Sequence, residues 1–430
     1  MKKLLILYPH WHPSNLAGVH RARLVGNFLV KSGWEPLVLT VKEEFYEEAP
    51  DAEIHRLFSL AFRTRRVNAL PLWRIRLFGD IGLRAFFYLY REAKKWIREE
   101  KPDFLWIPIP SFYTALLGRM LHRKTGILYG IDYIDPWVRD VSNDHSLRAR
   151  LSLWMAKILE PVAVKKASLI TGVAEEYYLP VLKRNFRVAG HQISHCAFPY
   201  GFDPHDHEID IPGLAMPWHD RPGCIPLVYA GAFMPNSQYF TDTFFKALAE
   251  LKRKKRIPAG IHLYFLGTGI YPHKRLTAYA ADHGVEGYVT EIRDRFPFLH
   301  ILNILSKADR LLIIGSTEKH YTPSKAFQVI LSKRPFFAMF HHESTAVQIL
   351  AETITDTYLV KYEGMHHDKQ LFEDTLRKLD HFLNFPNESW NPDIQALAPY
   401  SAEHSARKLI NAIESLIEKT RHPLHASDPV

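Results

Sequence analysis

The chain has only two cysteines in 430 residues, Cys196 and Cys224. Two thiols cannot make a disulfide framework, so a bridge-held fold is excluded and a reducing compartment suits the protein. No stretch approaches the roughly eighteen uninterrupted apolar residues that a membrane-spanning helix needs. Near the start, Lys2 and Lys3 precede the short apolar run "LLILY", too brief for the core of a signal peptide, and no small-residue cleavage site follows. No internal repeat is visible, and no G-x-G-x-x-G fingerprint follows the first apolar run. RNP-like and helix-turn-helix patterns are also missing, so the basic charge has no nucleic-acid reader beside it. Only the last ten residues, "RHPLHASDPV", read as disordered.

What is present is a soluble composition, 47% hydrophobic and 23% charged, on a chain longer than one core usually serves. Fifty-five Lys and Arg against 46 Asp and Glu give a net charge of +9. Most of that excess lies in residues 56–101, with twelve Lys/Arg against four Asp/Glu. The same segment interleaves Phe58, Phe62, Leu72, Trp73, Leu77 and Phe78 with arginines, then runs into a helix bearing Phe86, Phe87, Tyr90, Trp96 and Ile97. Cations beside aromatic and aliphatic groups suit an anionic membrane surface. A helix over 81–100 that buries its aromatics and solvates its cations explains the pattern equally well.

"KLLILY" reads as a buried parallel strand, Val19–Ser32 as a helix closed by Gly33, and "EPLVLTV" as the next strand. "FLWIPI", a helix from Ser111 to Lys124, "ILYGIDYIDPW", a helix around Leu151–Ala167 and "ASLITGV" continue the alternation. Prolines and glycines then crowd the stretch from Phe198 to Pro226, which marks a linker. Strands resume at "IPLVYAG", "IHLYFLGTG", "YVTEI", "RLLIIGS" and "PFFAMF", with helices between. The expectation is α/β, with two doubly wound Rossmann-like domains. The first is placed at 1–205, a linker at 206–223 and the second at 224–400. A helix at 401–420 and a tail at 421–430 complete the chain.

The stretch "YPHWHPSNLAGVHRAR" carries His10, His12 and His20. His10 and His12 alternate, so zinc binding by both is one reading, but the loop has no Cys, Asp or Glu. Histidines packed at a strand end are another. Position supplies the third, since ligands of doubly wound folds bind where strands run into helix N-termini. There Gly18 would let a phosphate or sugar approach the backbone.

An ordered set of motifs resembles the GT-B glycosyltransferases, specifically the family-four type, which is retaining and uses nucleotide sugars. "LAGVHRARLVGNFLVKSGWEPLVLT" is similar to its glycine loop, helix and strand, and "IDYIDPW" to its D-x-RD-x-W segment. "FPYGFD" stands where the family has PNG-hydrophobic-D, and "LVYAGAF" and "LYFLGTG" resemble strands of its donor domain. "ADRLLII" followed by "TPSKAFQVILSKRPFFAM" resembles its AD-x-LL and PSK segments. The resemblance implies two such domains facing a cleft, with the C-terminal helix packing back on the first. It also implies a transferase that moves a sugar from UDP or GDP to a glycan or lipid-linked acceptor in surface-polysaccharide or glycoconjugate assembly. No cofactor or metal is expected, and the location would be cytoplasmic, peripheral on the inner membrane face.

On this reading Gly18, Gly231, Gly267, Ser324, Lys325 and Gln328 bind the donor, and Asp132 and Asp135 are the candidate catalytic carboxylates. His12, Arg21 and Arg23 are candidates for the acceptor or phosphate side. A capping role for Asp132 or Asp135, and for Ser324 beside a solvated Lys325, stays open. The chain also departs from the family. Ala232 and Gln238 stand where an Arg and a Lys usually grip the diphosphate, and Gln328, with His320 eight residues before it, stands where the second of two Glu contacts ribose. Those losses are the case for a non-catalytic sugar- or nucleotide-binding protein. A nucleotide-sugar epimerase on the same fold is the enzymatic rival.

Overall fold

A computed structural model of the chain describes residues 1–47, 50–51, 62–71, 80–139, 146–269, 274–317, 324–354, 358–364, 368–384 and 390–421. Two compact units divide it: Met1–Gly201 joined by the chain from Tyr400, and Phe202–Pro399.

In the first unit seven strands form one sheet: β1 (Lys2–Leu7), β2 (Trp34–Val41), β3 (Arg63–Val67), β4 (Phe104–Ile109), β5 (Tyr129–Tyr133), β6 (Leu169–Gly172) and β7 (Ser194–Ala197). They are parallel in the order β3-β2-β1-β4-β5-β6-β7, which reverses direction between β1 and β4. Its helices are α1 (Ala17–Leu29), α2 (Ile81–Arg84), α3 (Phe86–Glu100), α4 (Ala115–Thr125), α5 (Leu147–Val164) and α6 (Glu175–Ala189). Strand side chains alternate between faces, and the core follows. Leu5, Leu7, Leu105 and Ile107 pack under α3 to α6, whereas Leu4, Ile6, Phe104 and Trp106 pack against α1 and the last helix.

The second unit repeats the plan with β8 (Ile225–Ala230), β9 (Ile261–Leu266), β10 (Val289–Ile292), β11 (Arg310–Ile314), β12 (Phe336–His341) and β13 (Leu359–Tyr362). Their parallel order is β10-β9-β8-β11-β12-β13. The helices are α7 (Gln238–Arg253), α8 (Leu276–Asp282), α9 (Phe298–Lys307), α10 (Ser324–Leu331), α11 (Thr345–Thr353) and α12 (Asp368–Asn384). The last helix, α13 (Ala402–Arg421), returns to the first unit and lays Leu409, Ile410 and Ile413 against α1. Both units are doubly wound, as the sequence predicts. No helix among the described residues is long and apolar enough to cross a membrane.

The basic segment differs from its expected form. The helix foreseen over 81–100 is two helices, broken at Ala85, and residues 63–67 are an edge strand. Arg63 pairs with Glu35 and Glu100, and Arg65 with Glu92 and Glu99 while lying over the Trp96 ring. Trp96 and Ile97 are buried in the core; Phe87 is exposed. These cations are therefore matched by carboxylates of the same surface, because a charged edge strand sits beside an acidic helix end. Phe58, Leu72, Trp73, Leu77, Phe78 and the arginines at 56, 74 and 76 lie outside the described residues.

Candidate functional site

The carboxyl end of the first sheet is built around a buried ion pair. Arg21, on α1, donates from Nε to Asp132 Oδ2 at 2.6 Å and from Nη2 to Oδ1 at 2.9 Å. Both side chains are fully buried. Thr171 on β6 donates its hydroxyl to Asp132 Oδ1 at 2.6 Å, and Arg21 Nη1 donates to the Pro199 carbonyl at 3.0 Å. Arg21 also lies 4.4 Å from the centre of the Phe198 ring. The Arg21–Asp132 pair thus ties α1, β5, β6 and the chain after β7 together. The sequence expectation placed Arg21 on the acceptor or phosphate side and made Asp132 a candidate catalytic carboxylate; in the structure the two pair with each other, as opposite charges closed off from water must. Arg23 and His12 are likewise buried. The His12 carbonyl accepts from Arg66 Nη2 at 2.9 Å.

Gly18 also differs from its expected role. A Cβ there would stand 2.2 Å from the Tyr8 hydroxyl, so the space its missing side chain leaves is filled by tyrosine. Of the other two loop histidines, His20 bonds Asn15 through Nε2 at 2.7 Å and His10 packs its ring 5.3 Å from Tyr46. No group of three or more His, Cys, Asp or Glu among the described residues is arranged to hold a metal.

Asp135 lies just past the end of β5 and is half-buried. Burial raises its pKa against the opposing pull of Arg139, so its proton is held more tightly than an ordinary carboxylate's. Arg139 covers the Phe112 ring, which stacks on Trp137 at 5.6 Å. Nearby in the same sheet, a pocket of about 280 Å³ opens where β1 and β4 part. Tyr8, His10, Glu47, Asp80, Arg84 and Ser111 supply its polar wall. Asp80 accepts from the Ser111 hydroxyl and the Gly82 amide, both at 2.7 Å, and burial raises its pKa more than those bonds lower it. Sequence reasoning missed Asp80, Arg84 and Ser111. The signal available was "IPS" at the end of a buried strand, the position where doubly wound folds bind ligands.

In the second unit the corresponding switch point lies between β8 and β11. Lys325, second residue of α10, crosses directly over Gly231 at the end of β8. Its Nζ donates to Tyr229 Oη at 3.2 Å and to the Ala232 carbonyl at 3.1 Å, and it lies 4.8 Å from the Tyr229 ring centre. A Cβ on Gly231 would fall 2.2 Å from Lys325 Cε, and the backbone there has φ 119°. The backbone conformation is one that favours glycine, and the missing side chain leaves the space that Lys325 fills. Gly267 ends β9 at φ 67°, with Thr268 donating to Glu291 at 2.8 Å. Gln328, half-buried on α10, stands one turn beyond Lys325, and Ser324 is the first residue of that helix. The structure therefore gathers Gly231, Lys325 and the start of α10 into one place, with Gly267 on the loop after the neighbouring strand. His320 lies outside the described residues. His341 ends β12 and is buried.

No protein-family profile matches the sequence, and no curated protein matches it. Solved structures do. A glycosyltransferase from Rickettsia africae superposes with a TM-score of 0.56 at 13% identity, covering 97% of this chain and 99% of its own. HepE from Anabaena, solved with UDP and glucose, gives 0.54 at 13% identity, covering 99% and 100%. A Listeria monocytogenes protein provisionally named a UDP-N-acetylglucosamine 2-epimerase gives 0.55 at 13% identity and covers both chains fully. The chain has the GT-B fold.

Proposed function

We propose that the protein is a glycosyltransferase that takes a sugar from a nucleoside diphosphate sugar, with the second unit holding the donor and the first the acceptor. The observation that carries the reading is Lys325 at the start of α10, laid over Gly231 at the sheet's switch point. A helix N-terminus and a cation together favour a diphosphate, and they favour it more as the leaving group gains charge. The neighbours support this, since HepE was solved with UDP and glucose. The donor would be UDP- or GDP-linked and no metal would be needed. A glycan or lipid-linked acceptor, retention at the sugar carbon and a cytoplasmic, surface-polysaccharide setting rest on the sequence resemblance. In the first unit Asp135 is the carboxylate suited to accept the acceptor's proton, whereas Asp132 positions Arg21.

Calorimetry with UDP and GDP, then transfer assays on a panel of their sugars, tests the proposal. Lys325→Ala is expected to weaken nucleoside diphosphate binding by about 1.5–3 kcal/mol, the value of a charge-assisted hydrogen bond. Unchanged affinity in that variant, beside clear binding by the wild type, removes the donor site from this place. Tight binding with no transfer to any acceptor favours the binding-protein reading, which the side chains at Ala232, Gln238 and Gln328 support.

A further inference from the structure

We infer that the outer face of α5 is a docking surface for an anionic phospholipid bilayer. This inference stands on the surface alone and does not depend on the sugar-transfer reading. Five large apolar side chains on α5 face outward: Leu147 is 80% exposed, Leu151 56%, Trp154 58%, Ile158 45% and Val162 39%. Their spacing is four, three, four and four, so at about 100° per residue they share an arc of roughly 80°. The residues that α5 buries, Ala156, Glu160, Ala163 and Val164, lie on the opposite side. The helix is therefore apolar on two faces, and only one is used by the fold. That inner face is fixed, since Tyr129 and Arg119 both donate to carbonyls near the helix end and Arg184 clamps Glu160. Contiguous exposed apolar stripes of this kind mark interaction sites.

Charge decides what covers the stripe. Exposed Arg150 and Lys157 border it on one side and exposed Arg148 on the other, while Lys165 and Lys166 follow its carboxyl end. The helix has one carboxylate, Glu160, which points inward and is held by Arg184 and Asn185. Long cationic side chains beside an apolar stripe reach phosphate headgroups while the apolar groups enter the acyl boundary. A second copy of the chain fits poorly, because two-fold pairing would set these cations against one another. Basic flanks on both sides match an anionic bilayer.

The test is co-sedimentation with vesicles of phosphatidylglycerol and phosphatidylcholine in equal parts, beside pure phosphatidylcholine vesicles. The wild type is expected to pellet with the anionic vesicles at low salt and to be released as salt rises. Leu151→Ser, Trp154→Ser and Ile158→Ser combined should weaken partitioning by roughly a hundredfold or more. Arg150→Glu with Lys157→Glu should weaken it by about tenfold or more. Arg63→Ser with Arg65→Ser, which removes cations already paired on the protein, should leave it unchanged. These sites are solvent-exposed apart from half-buried Arg65, and circular dichroism checks that each variant folds. The proposal is overturned if the wild type ignores anionic vesicles, or if the triple serine variant binds them as well as the wild type. It is also overturned if the stripe instead mediates self-association, seen as a wild-type dimer in sedimentation that the triple variant converts to monomer without any lipid binding.

Discussion

At the end of β5 in the first unit, Asp132 is closed against Arg21 with no exposure to solvent. At the end of β8 in the second, Lys325 rests on a tyrosine hydroxyl and a backbone carbonyl, both neutral acceptors. The two sheets share a topology and place cations at equivalent ends, yet the cations differ in kind. A guanidinium held by a carboxylate at both nitrogens has no charge left to offer. On the proposed reading, the Lys325 ammonium at the start of a helix is the group a diphosphate would recruit. The contrast is between a cation that holds the fold and one that the proposed function gives to a ligand.

The largest effect expected from this contrast is on stability. Asp132→Ala leaves Arg21 buried without its partner and should destabilise the protein by about 3–5 kcal/mol in urea unfolding. Asp135→Asn removes a carboxylate whose charged form burial already disfavours, so stability should change by less than about 1 kcal/mol. If Asp135 accepts the acceptor's proton, that variant should lose about 10²–10⁴ in turnover while nucleotide affinity holds. Full turnover in Asp135→Asn would leave both carboxylates structural and dissolve the contrast on the first unit's side.

A second effect belongs to the second unit. His262 is buried, with Nδ1 accepting from Arg221 at 2.8 Å and Nε2 2.8 Å from the Thr290 hydroxyl. Arginine only donates, so the ring is neutral with its proton on Nε2. Burial, then Arg221, lowers the pKa from 6.5 to about 4. The folded state therefore binds fewer protons than the unfolded state between those values. Stability is intact above pH 6.5 and falls as pH drops toward 4, by on the order of 3 kcal/mol. His262→Gln should flatten that part of the profile; an unaltered acid limb would assign the loss elsewhere.

The smallest effect comes from the two glycines. Gly18→Ala pushes on the Tyr8 hydroxyl and should cost about 1–3 kcal/mol of stability while leaving UDP affinity unchanged. Gly231→Ala displaces Lys325 from above the β8 end, so nucleotide affinity should fall as in Lys325→Ala, beside about 1–2 kcal/mol of backbone strain. Equal affinity losses in both variants would mean that the first unit's glycine loop also touches the nucleotide.

Much of the fold was legible in local pattern. "KLLILY", "FLWIPI" and "IHLYFL" are buried on both faces, and such continuous runs announce parallel strands before any contact is known. Strand β3 was not legible, because "RTRRV" holds its place through carboxylates brought from Glu35, Glu92, Glu99 and Glu100. The α5 stripe was equally hidden. A helix apolar on two opposite faces has no single polar side by which sequence can tell inside from outside. In the candidate site, Gly231 and Lys325 were readable as strand end and helix start, and the Asp80, Arg84 and Ser111 cluster was not, since only the fold brings Ser111 to the turn that carries Asp80 and Arg84.

By itself the sequence determined the alternation of buried strands and amphipathic helices, the break between the two sheets and the loops that follow each strand. Periodicity and turn chemistry act over a few residues, so one chain segment suffices to encode them. Tertiary structure decided which charges are closed off in the core and which stand at a helix start. Arg21 and Asp132 stand 111 positions apart, and Lys325 and Gly231 are joined only when β8 and α10 meet. The state of a charge depends on what the fold brings within a few ångströms and on whether water is excluded there, and neither is a property of any short stretch of chain.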